Sequence, residues 1–428
     1  MMEKKSRPTL ITMLPIITSI LDTDVYKLYM QQAVFHQNRD VHAEYEFNSR
    51  DHECFGEFAD VIRKQVNCMA SVVLSDEEYD YLSGLPQFKM DYLNYLRSYR
   101  FNPKQVTIRA VPAEEEGHSD ALKLVVVVQG PWVETILWEI PLLAIISEVV
   151  QNARHPTIGI QEALETLHRN LDNFFAAHSE EELESFRVSD FGSRRRFSQV
   201  VHEAVVRALH EHPRFSRHLI GTSNCDIARR VGIPAVGTQA HEWYQAFQQL
   251  SPDLRLSQAT AMKMWLREYP NCLGIALTDC ITMDAFLKDF NYALASAYIG
   301  LRQDSGDPVE WGRKAIEHYR ALGIDPKQKV LVFSDGLNLE KAAELYNMFK
   351  EQTTVMCGIG TYLSCTIDGV RRLNIVIKMV RCQGRPVAKV SDSPGKTICE
   401  DSTFVEKLLR VFNVPNRPIA KCHKVMST

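Results

Sequence analysis

The sequence has no C-x-x-C pair and no Cys/His spacing of a zinc site. Its ten cysteines are scattered at 54, 68, 225, 272, 280, 357, 365, 382, 399 and 422. Zinc ribbons and thioredoxin-like redox centres are thereby excluded, and the scatter reads as free thiols in a reducing compartment. A bilayer-length apolar run is also missing. The stretch LITMLPIITSIL (10–21) is broken by Thr12, Pro15, Thr18 and Ser19. Lys4, Lys5 and Arg7 ahead of it imitate the start of a secretory signal, but no small-residue cleavage site follows. The expectation is a cytoplasmic protein with no membrane partner. A net charge of -4 supplies no long-range attraction for nucleic acid. Both common nucleotide fingerprints are absent: no G-x-x-x-x-G-K-[ST] occurs, and Gly358-Ile-Gly360 is followed at 363 by Leu. A Rossmann or P-loop enzyme is disfavoured.

No Gly/Ser linker, low-complexity tract or charge block divides the 428 residues, so organisation must be read from changes of pattern. DVYKLYMQQAVFHQ (24–37) has helical periodicity with Asp22 or Asp24 as its cap, and VHAEYEFNSR (41–50) alternates like a strand. A helical segment, DVIRKQVNCMASVV, precedes two more strand-like runs, QVTIRAVPAEE and LKLVVVVQGPW. This is an α+β layout.

From about residue 185 short strand-like runs each precede a helix-length segment: FRVSDFGSR, RHLIGTSN, PAVGTQAH, GIALTDC, YIGLRQDSGDP, KVLVFSDGLN and TVMCGIGT. Their marker residues Phe191, Ser223, His241, Asp279, Asp304, Asp335 and Gly360 recur at the spacing of βα units. Six or seven such units in succession predict a parallel β/α barrel, with the chemistry at the C-terminal strand ends. LNIVIKMVRCQGRPVAKVSDSPGK breaks the rhythm with a hairpin around Gln383-Gly384. The expected division is an N-terminal α+β region over 1–140, an irregular barrel over 141–367, and a segment over 368–428 that packs back on the N-terminal region and makes that domain discontinuous.

Three strand exits look suited to phosphate: Gly221-Thr222 of GTSN, Ser334-Asp335-Gly336 of SDGLN, and Gly358, Gly360 and Thr361 of GIGT. Unpaired amides at a helix start are donors at the positive end of the dipole, although each loop alone reads equally as a cap. Arg194, Arg195 and Arg196 could clamp a phosphate or carboxylate, or form a solvated turn. Arg302 lies beside Asp304 and Asp307, an acidic pair that could hold hydrated Mg²⁺, align a cationic group or form a structural ion pair. His241 begins as a structural histidine beside Trp243 and Tyr244. At a strand exit, with Asp279 on the next, it becomes a candidate nucleophile.

The strings ILDTDVYKLYMQQA, DFGSRRR, GTSN, VGTQAHEW, GLRQDSGDP, FSDGLN and the hairpin segment occur in the order found in the nicotinate phosphoribosyltransferase family, bacterial type, which the chain resembles from about residue 20 to 400. The resemblance implies a type II phosphoribosyltransferase fold. It implies transfer of phosphoribose from phosphoribosyl pyrophosphate to nicotinate, giving nicotinate mononucleotide for NAD biosynthesis, with ATP hydrolysed alongside and Mg²⁺ as cofactor. A homodimer is implied, with Tyr26 crossing to the neighbouring site and stacking opposite Phe191 on the pyridine ring. Arg194 and Arg302 match positions near the pyridine substituent and the ribose phosphates, and Asp304 matches a carboxylate that steadies positive charge at the sugar. His241 resembles a phosphorylated histidine oriented by Asp279.

Related nicotinamide enzymes carry Asp where this chain has Ser223. A hydroxyl can donate to a carboxylate that an Asp would repel, so nicotinate is favoured over nicotinamide. Nicotinamide or quinolinate remains the alternative base. A silent ligand-binding sensor, or a barrel aldolase or isomerase, are the other classes. The last would want a lysine or histidine base at a strand exit, and none of the exits quoted holds a lysine.

Overall fold

A computed structural model describes residues 14–113, 121–393 and 396–415. The basic residues before the apolar stretch, the end of the QVTIRAVPAEE run and the last residues of the chain lie outside these. Helix α1 (Val25–Gln37) is buried without a break from Val25 to Val34. A helix enclosed on every side must satisfy its polar side chains internally. Gln31 Nε2 accordingly donates to the Val133 carbonyl at 2.7 Å, and Gln32 Nε2 to that of Gln87 at 2.9 Å. Asp24 occupies the N-cap without a capping hydrogen bond from its side chain. Its carboxylate instead accepts from Ser223.

Strands β1 (His42–Ser49), β2 (Val106–Pro112) and β3 (Leu122–Pro131) form an antiparallel sheet with β10 (Ile375–Cys382) and β11 (Arg385–Pro386), in the order β11-β10-β1-β3-β2. The hairpin from the far end of the chain thus pairs directly with the first strand, from Ala43↔Cys382 to Ser49↔Ile375, with the register shifting by one residue between Glu44 and Tyr45. Positive φ at Gln383 (53°) and Gly384 (67°) gives the two-residue turn the twist that suits a hairpin. The boundary expected at residue 140 falls inside a continuous helix, Glu139–Arg154.

The second sheet is parallel: β4 (Val188–Asp190), β5 (Leu219–Thr222), β6 (Ile275–Leu277), β7 (Gly300–Gln303), β8 (Val330–Phe333) and β9 (Thr354–Ile359), in the order β5-β4-β9-β8-β7-β6. Pairing of the first strand with the last, Val188↔Cys357, curls the sheet back on itself. The third of the seven expected units, PAVGTQAH, is reduced to one bridge, Thr222↔Ala235. Pro234 has no N–H for a ladder. Side chains take over on the other flank, where Thr238 Oγ1 and Gln239 Nε2 both donate to the Ile275 carbonyl of β6. The barrel is irregular at this seam, and His241 begins the helix that leaves it (His241–Leu250). Among the described residues no helix is long and apolar enough to cross a membrane.

Candidate active site

His241 is buried, and its Nε2 lies 2.9 Å from Asp279 Oδ1 and 3.6 Å from Asp304 Oδ2. Asp279 is fixed in turn, because Ser305 Oγ donates to its Oδ2 at 2.6 Å. Lys389 Nζ stands 3.0 Å from Asp279 and 3.8 Å from Asp304. Burial, with Lys389 adding to it against the pull of Asp279, lowers the His241 pKa to about 4. Burial opposes ionisation of Asp279, but Lys389 and His241 prevail and hold it well below the usual carboxylate range. The ring is therefore neutral near pH 7. Its Nε2–H is held by a carboxylate, and among the described residues Nδ1 has no hydrogen-bond partner.

Lys389 has no signal in the barrel rhythm. It arrives on the segment after β11, where Val390 N donates to the Cys280 carbonyl and Asp392 N to Ser305 Oγ. None of the quoted strand exits holds a lysine, but this one reaches their acidic residues from a segment outside the barrel rhythm. It is ion-paired there with Asp279.

Ser223, Tyr26, Arg194 and Asp24 form a second group. Val25 N donates to the Ser223 carbonyl at 2.7 Å, and Asp24 bridges to Asn224, so the start of α1 is tied to its own chain's GTSN loop. Tyr26 is consequently buried within one chain. Burial pushes its hydroxyl well up, with Arg194 opposing. Arg194 lies 3.8 Å from both Asp24 and Glu139. The Arg302 Nε is buried without a partner among the described residues, as expected of a guanidinium whose acceptor is a ligand.

Ser223 Oγ donates to Asp24 Oδ1 at 2.6 Å, so its proton is already committed. The amides of the same loop are committed too. Ser223 N donates to Asp190, Asn224 N to Thr222 Oγ1, Cys225 N to Thr23 and Asp226 N to Leu21. Gly221 is there for close approach, since a Cβ would meet the Pro234 carbonyl oxygen at 2.2 Å. Thr222 Oγ1 donates to Asp190 at 2.6 Å. With its donors engaged, the loop of Gly221 and Thr222 is unsuited to phosphate, contrary to the sequence reading.

The two other loops differ. Among the described residues no hydrogen bond is made by the amides of Asp335, Gly336 and Leu337 ahead of the helix Leu339–Phe349, nor by that of Thr361. Gly336 takes φ +64° in open space. Ser334 Oγ donates to the Gln303 carbonyl at 2.8 Å, and Asp335 pairs with Lys396 at 3.0 Å. Gly358 has a packing role: a Cβ there would fall 2.3 Å from the Phe191 ring, and one at Gly360 would fall 3.1 Å from the Phe191 carbonyl oxygen. These glycines seat Phe191. The acidic pair of β7 also divides, because Asp307 caps the helix Pro308–Ala321 and leaves Asp304 alone on the His241 side. Lys378 of β10 joins Arg194. Burial, opposed by Glu139 and reinforced by Arg194, Lys389 and Arg50, lowers its ammonium to about 7.

Donor atoms of His241, Asp279 and Asp304 lie within 4.8 Å of one another. Mg²⁺ favours an oxygen shell that keeps several waters, and here an ammonium already sits on both carboxylates. The trio does not fit a resident Mg²⁺.

Family models cover most of the chain. The nicotinate phosphoribosyltransferase N-terminal domain matches residues 21–147, and the nicotinate phosphoribosyltransferase family matches 186–416. The chain is 54% identical over 402 residues to a nicotinate phosphoribosyltransferase of Escherichia coli O127:H6, covering 94% of this chain and 97% of that one. A crystal structure of nicotinate phosphoribosyltransferase from Vibrio cholerae superposes with a TM-score of 0.88 at 37% identity, covering 96% and 97% of the two chains. One from Porphyromonas gingivalis gives 0.83 at 30% identity, covering 93% and 100%.

Proposed function

The chain belongs to the nicotinate phosphoribosyltransferase family and is an enzyme of it, and from that premise we propose how its own residues carry the reaction. Nicotinate and phosphoribosyl pyrophosphate become nicotinate mononucleotide and pyrophosphate, a step of NAD biosynthesis. Phe191 and Tyr26 enclose the pyridine ring, whose flat faces need burial more than directional bonds. Arg194 holds the nicotinate carboxylate, and Arg302, with its open Nε, holds the ribose phosphate. The open amides around Gly336 and Thr361, together with Lys378, take the pyrophosphate. As the bond from C1 to pyrophosphate lengthens and the ring nitrogen closes on C1, the sugar becomes cationic. Asp304, about a third exposed, faces that charge. Mg²⁺ enters as the chelate of the phosphate substrates.

ATP acts through His241. Its neutral Nδ1 attacks the γ-phosphorus, the bond to the leaving oxygen of ADP breaks, and Asp279 stabilises the ring through Nε2–H. Water later releases phosphate. The observation that carries this reading is the 2.9 Å contact from Nε2 to Asp279, which leaves Nδ1 as the available nitrogen. Incubation with γ-labelled ATP should give acid-labile, base-stable label on the wild type and none on His241→Ala, and ATP should change mononucleotide formation. Label retained by His241→Ala would overturn the assignment. A cytoplasmic location and a homodimer belong to the same proposal, and sizing in solution tests the latter. In that dimer Tyr26 of one protomer is proposed to cross to the pyridine site of its neighbour.

A further inference from the structure

Asp190 ends β4, is fully buried and immediately precedes Phe191. Its Oδ1 accepts from the Gly192 amide at 3.0 Å, which closes a turn of side chain and backbone around Phe191. Its Oδ2 accepts from His202 Nε2 at 2.7 Å and from Thr222 Oγ1 at 2.6 Å. The turn is held from outside as well: Phe191 N donates to the Ile359 carbonyl at 2.8 Å, and Ser364 Oγ to that of Gly192 at 2.8 Å. His202 belongs to the helix Gln199–Glu211 and has no exposed surface. Its Nδ1 is buried without a partner among the described residues, so the bond to Asp190 is the only hydrogen bond this ring makes there. Burying an imidazole with one nitrogen unsatisfied costs free energy that a leucine at the same place would not, so packing alone does not account for it.

We infer that His202 is a positioning residue for the nicotinate site, acting through Asp190 on the turn that presents Phe191. The inference rests on the reading above of Phe191 as one wall of the pyridine site. An aspartate carboxyl turns readily about its terminal torsion, so one bond to one oxygen fixes it poorly. His202 and Thr222 together fix Oδ2, and the plane they set aims Oδ1 at the Gly192 amide. With an apolar side chain at 202 the carboxyl is left to Thr222, and the turn around Phe191 loses its fixed acceptor. The half-buried Phe191 ring has an open side toward which it can then shift. His202 itself touches no substrate in this scheme. Its effect falls on nicotinate and spares phosphoribosyl pyrophosphate, because the group it places faces the pyridine ring.

The test compares the full-length wild type with His202→Leu, His202→Gln, Thr222→Val, Phe191→Leu and the double variant of His202→Leu with Phe191→Leu. KM for nicotinate, KM for phosphoribosyl pyrophosphate, kcat and melting temperature are measured for each. A group misplaced by about 1 Å can cost about 100-fold, and on that scale His202→Leu should raise KM for nicotinate by about 10-fold and leave KM for phosphoribosyl pyrophosphate unchanged. His202→Gln, whose amide N–H can reach the same oxygen, should restore most of the loss. In the Phe191→Leu background His202→Leu should add no further rise, since the two residues act as one unit. Thr222→Val withdraws the other donor to Oδ2 and should raise KM for nicotinate in the same selective way, which keeps the test open if His202→Leu does not fold. A lower melting temperature with both KM values unchanged overturns the inference and makes His202 a core residue only. An equal rise in both backgrounds, or in both KM values, overturns it too, and leaves the reading of Phe191 standing. Phe191→Leu with a wild-type KM for nicotinate overturns that reading and the inference with it.

Discussion

Asp279 accepts from His241 Nε2 at 2.9 Å while its other oxygen is held by Ser305 and Lys389 at 2.6 and 3.0 Å. A carboxylate pinned from three sides cannot follow the ring if the ring turns, so it selects one tautomer, with the proton on Nε2 and the lone pair on Nδ1. Asp279→Asn keeps the shape but offers either an amide N–H or an uncharged oxygen. Phosphorylation by ATP should drop by about 10²- to 10⁴-fold, the usual value of a positioned acid or base group. Label per mole of enzyme, measured in the linear phase, checks this. Label at wild-type rates would mean that Asp279 does not set the tautomer.

Lys389 makes a separate prediction about pH. The charged groups facing His241 are Asp279, Asp304 and Lys389. With the histidine lowered to about 4 in the folded chain and near 6.5 when unfolded, the unfolded state binds the extra proton between those values. Stability should fall as pH drops from about 6.5 toward 4, and phosphorylation should stay level across that window until the ring protonates near 4. Lys389→Met removes the cation and leaves the two carboxylates, so the acid limb of phosphorylation should move upward. Ring titration by NMR reads the same shift directly. An unmoved acid limb would show that burial alone keeps the ring neutral.

Much of this site is legible in the sequence because each βα unit is local. Its apolar strand, its polar exit and its helix follow within a few tens of residues, and Phe191, His241, Asp279 and Asp304 all lie on such exits. What periodicity cannot reveal is which distant segment fills a gap. Lys389 reaches Asp279 across 110 positions of chain (389 − 279), and residues 21–23 use the very amides that make GTSN look like a phosphate loop. Ser223 is a case of the right residue type with its proton directed elsewhere. The shortened strand of the third unit did have a signal, Pro234, which marks a place where a ladder cannot run.

Gly358→Ala tests the seat of Phe191. The added methyl would overlap the ring, whose nearest atoms lie 2.3 and 2.4 Å from the ideal Cβ. The half-buried ring would have to shift to admit it, and overpacking of this kind costs about 1–3 kcal/mol. The expected result is a lower melting temperature together with a raised KM for nicotinate, since the ring that moves is the one proposed to face the substrate. A loss of stability with KM unchanged would show that Phe191 is a core residue only.

A role for Ser223 in the choice between nicotinate and nicotinamide has to be tested together with Asp24, its hydrogen-bond partner. Because the Ser223 hydroxyl donates to Asp24 at 2.6 Å, an aspartate at 223 would set two buried carboxylates against each other. Ser223→Asp alone should therefore destabilise the chain or force one carboxyl to protonate, and its substrate preference would be hard to interpret. Exchanging the pair, Ser223→Asp with Asp24→Ser, keeps one donor and one acceptor in place and turns an acceptor toward the loop side. That double variant should gain nicotinamide turnover relative to nicotinate. Ser223→Ala leaves Asp24 short of one donor and should cost about 1–3 kcal/mol of stability. If its nicotinate to nicotinamide ratio equals that of the wild type, the hydroxyl acts through Asp24 and the architecture of α1, and the carboxylate of nicotinate is read by Arg194 instead.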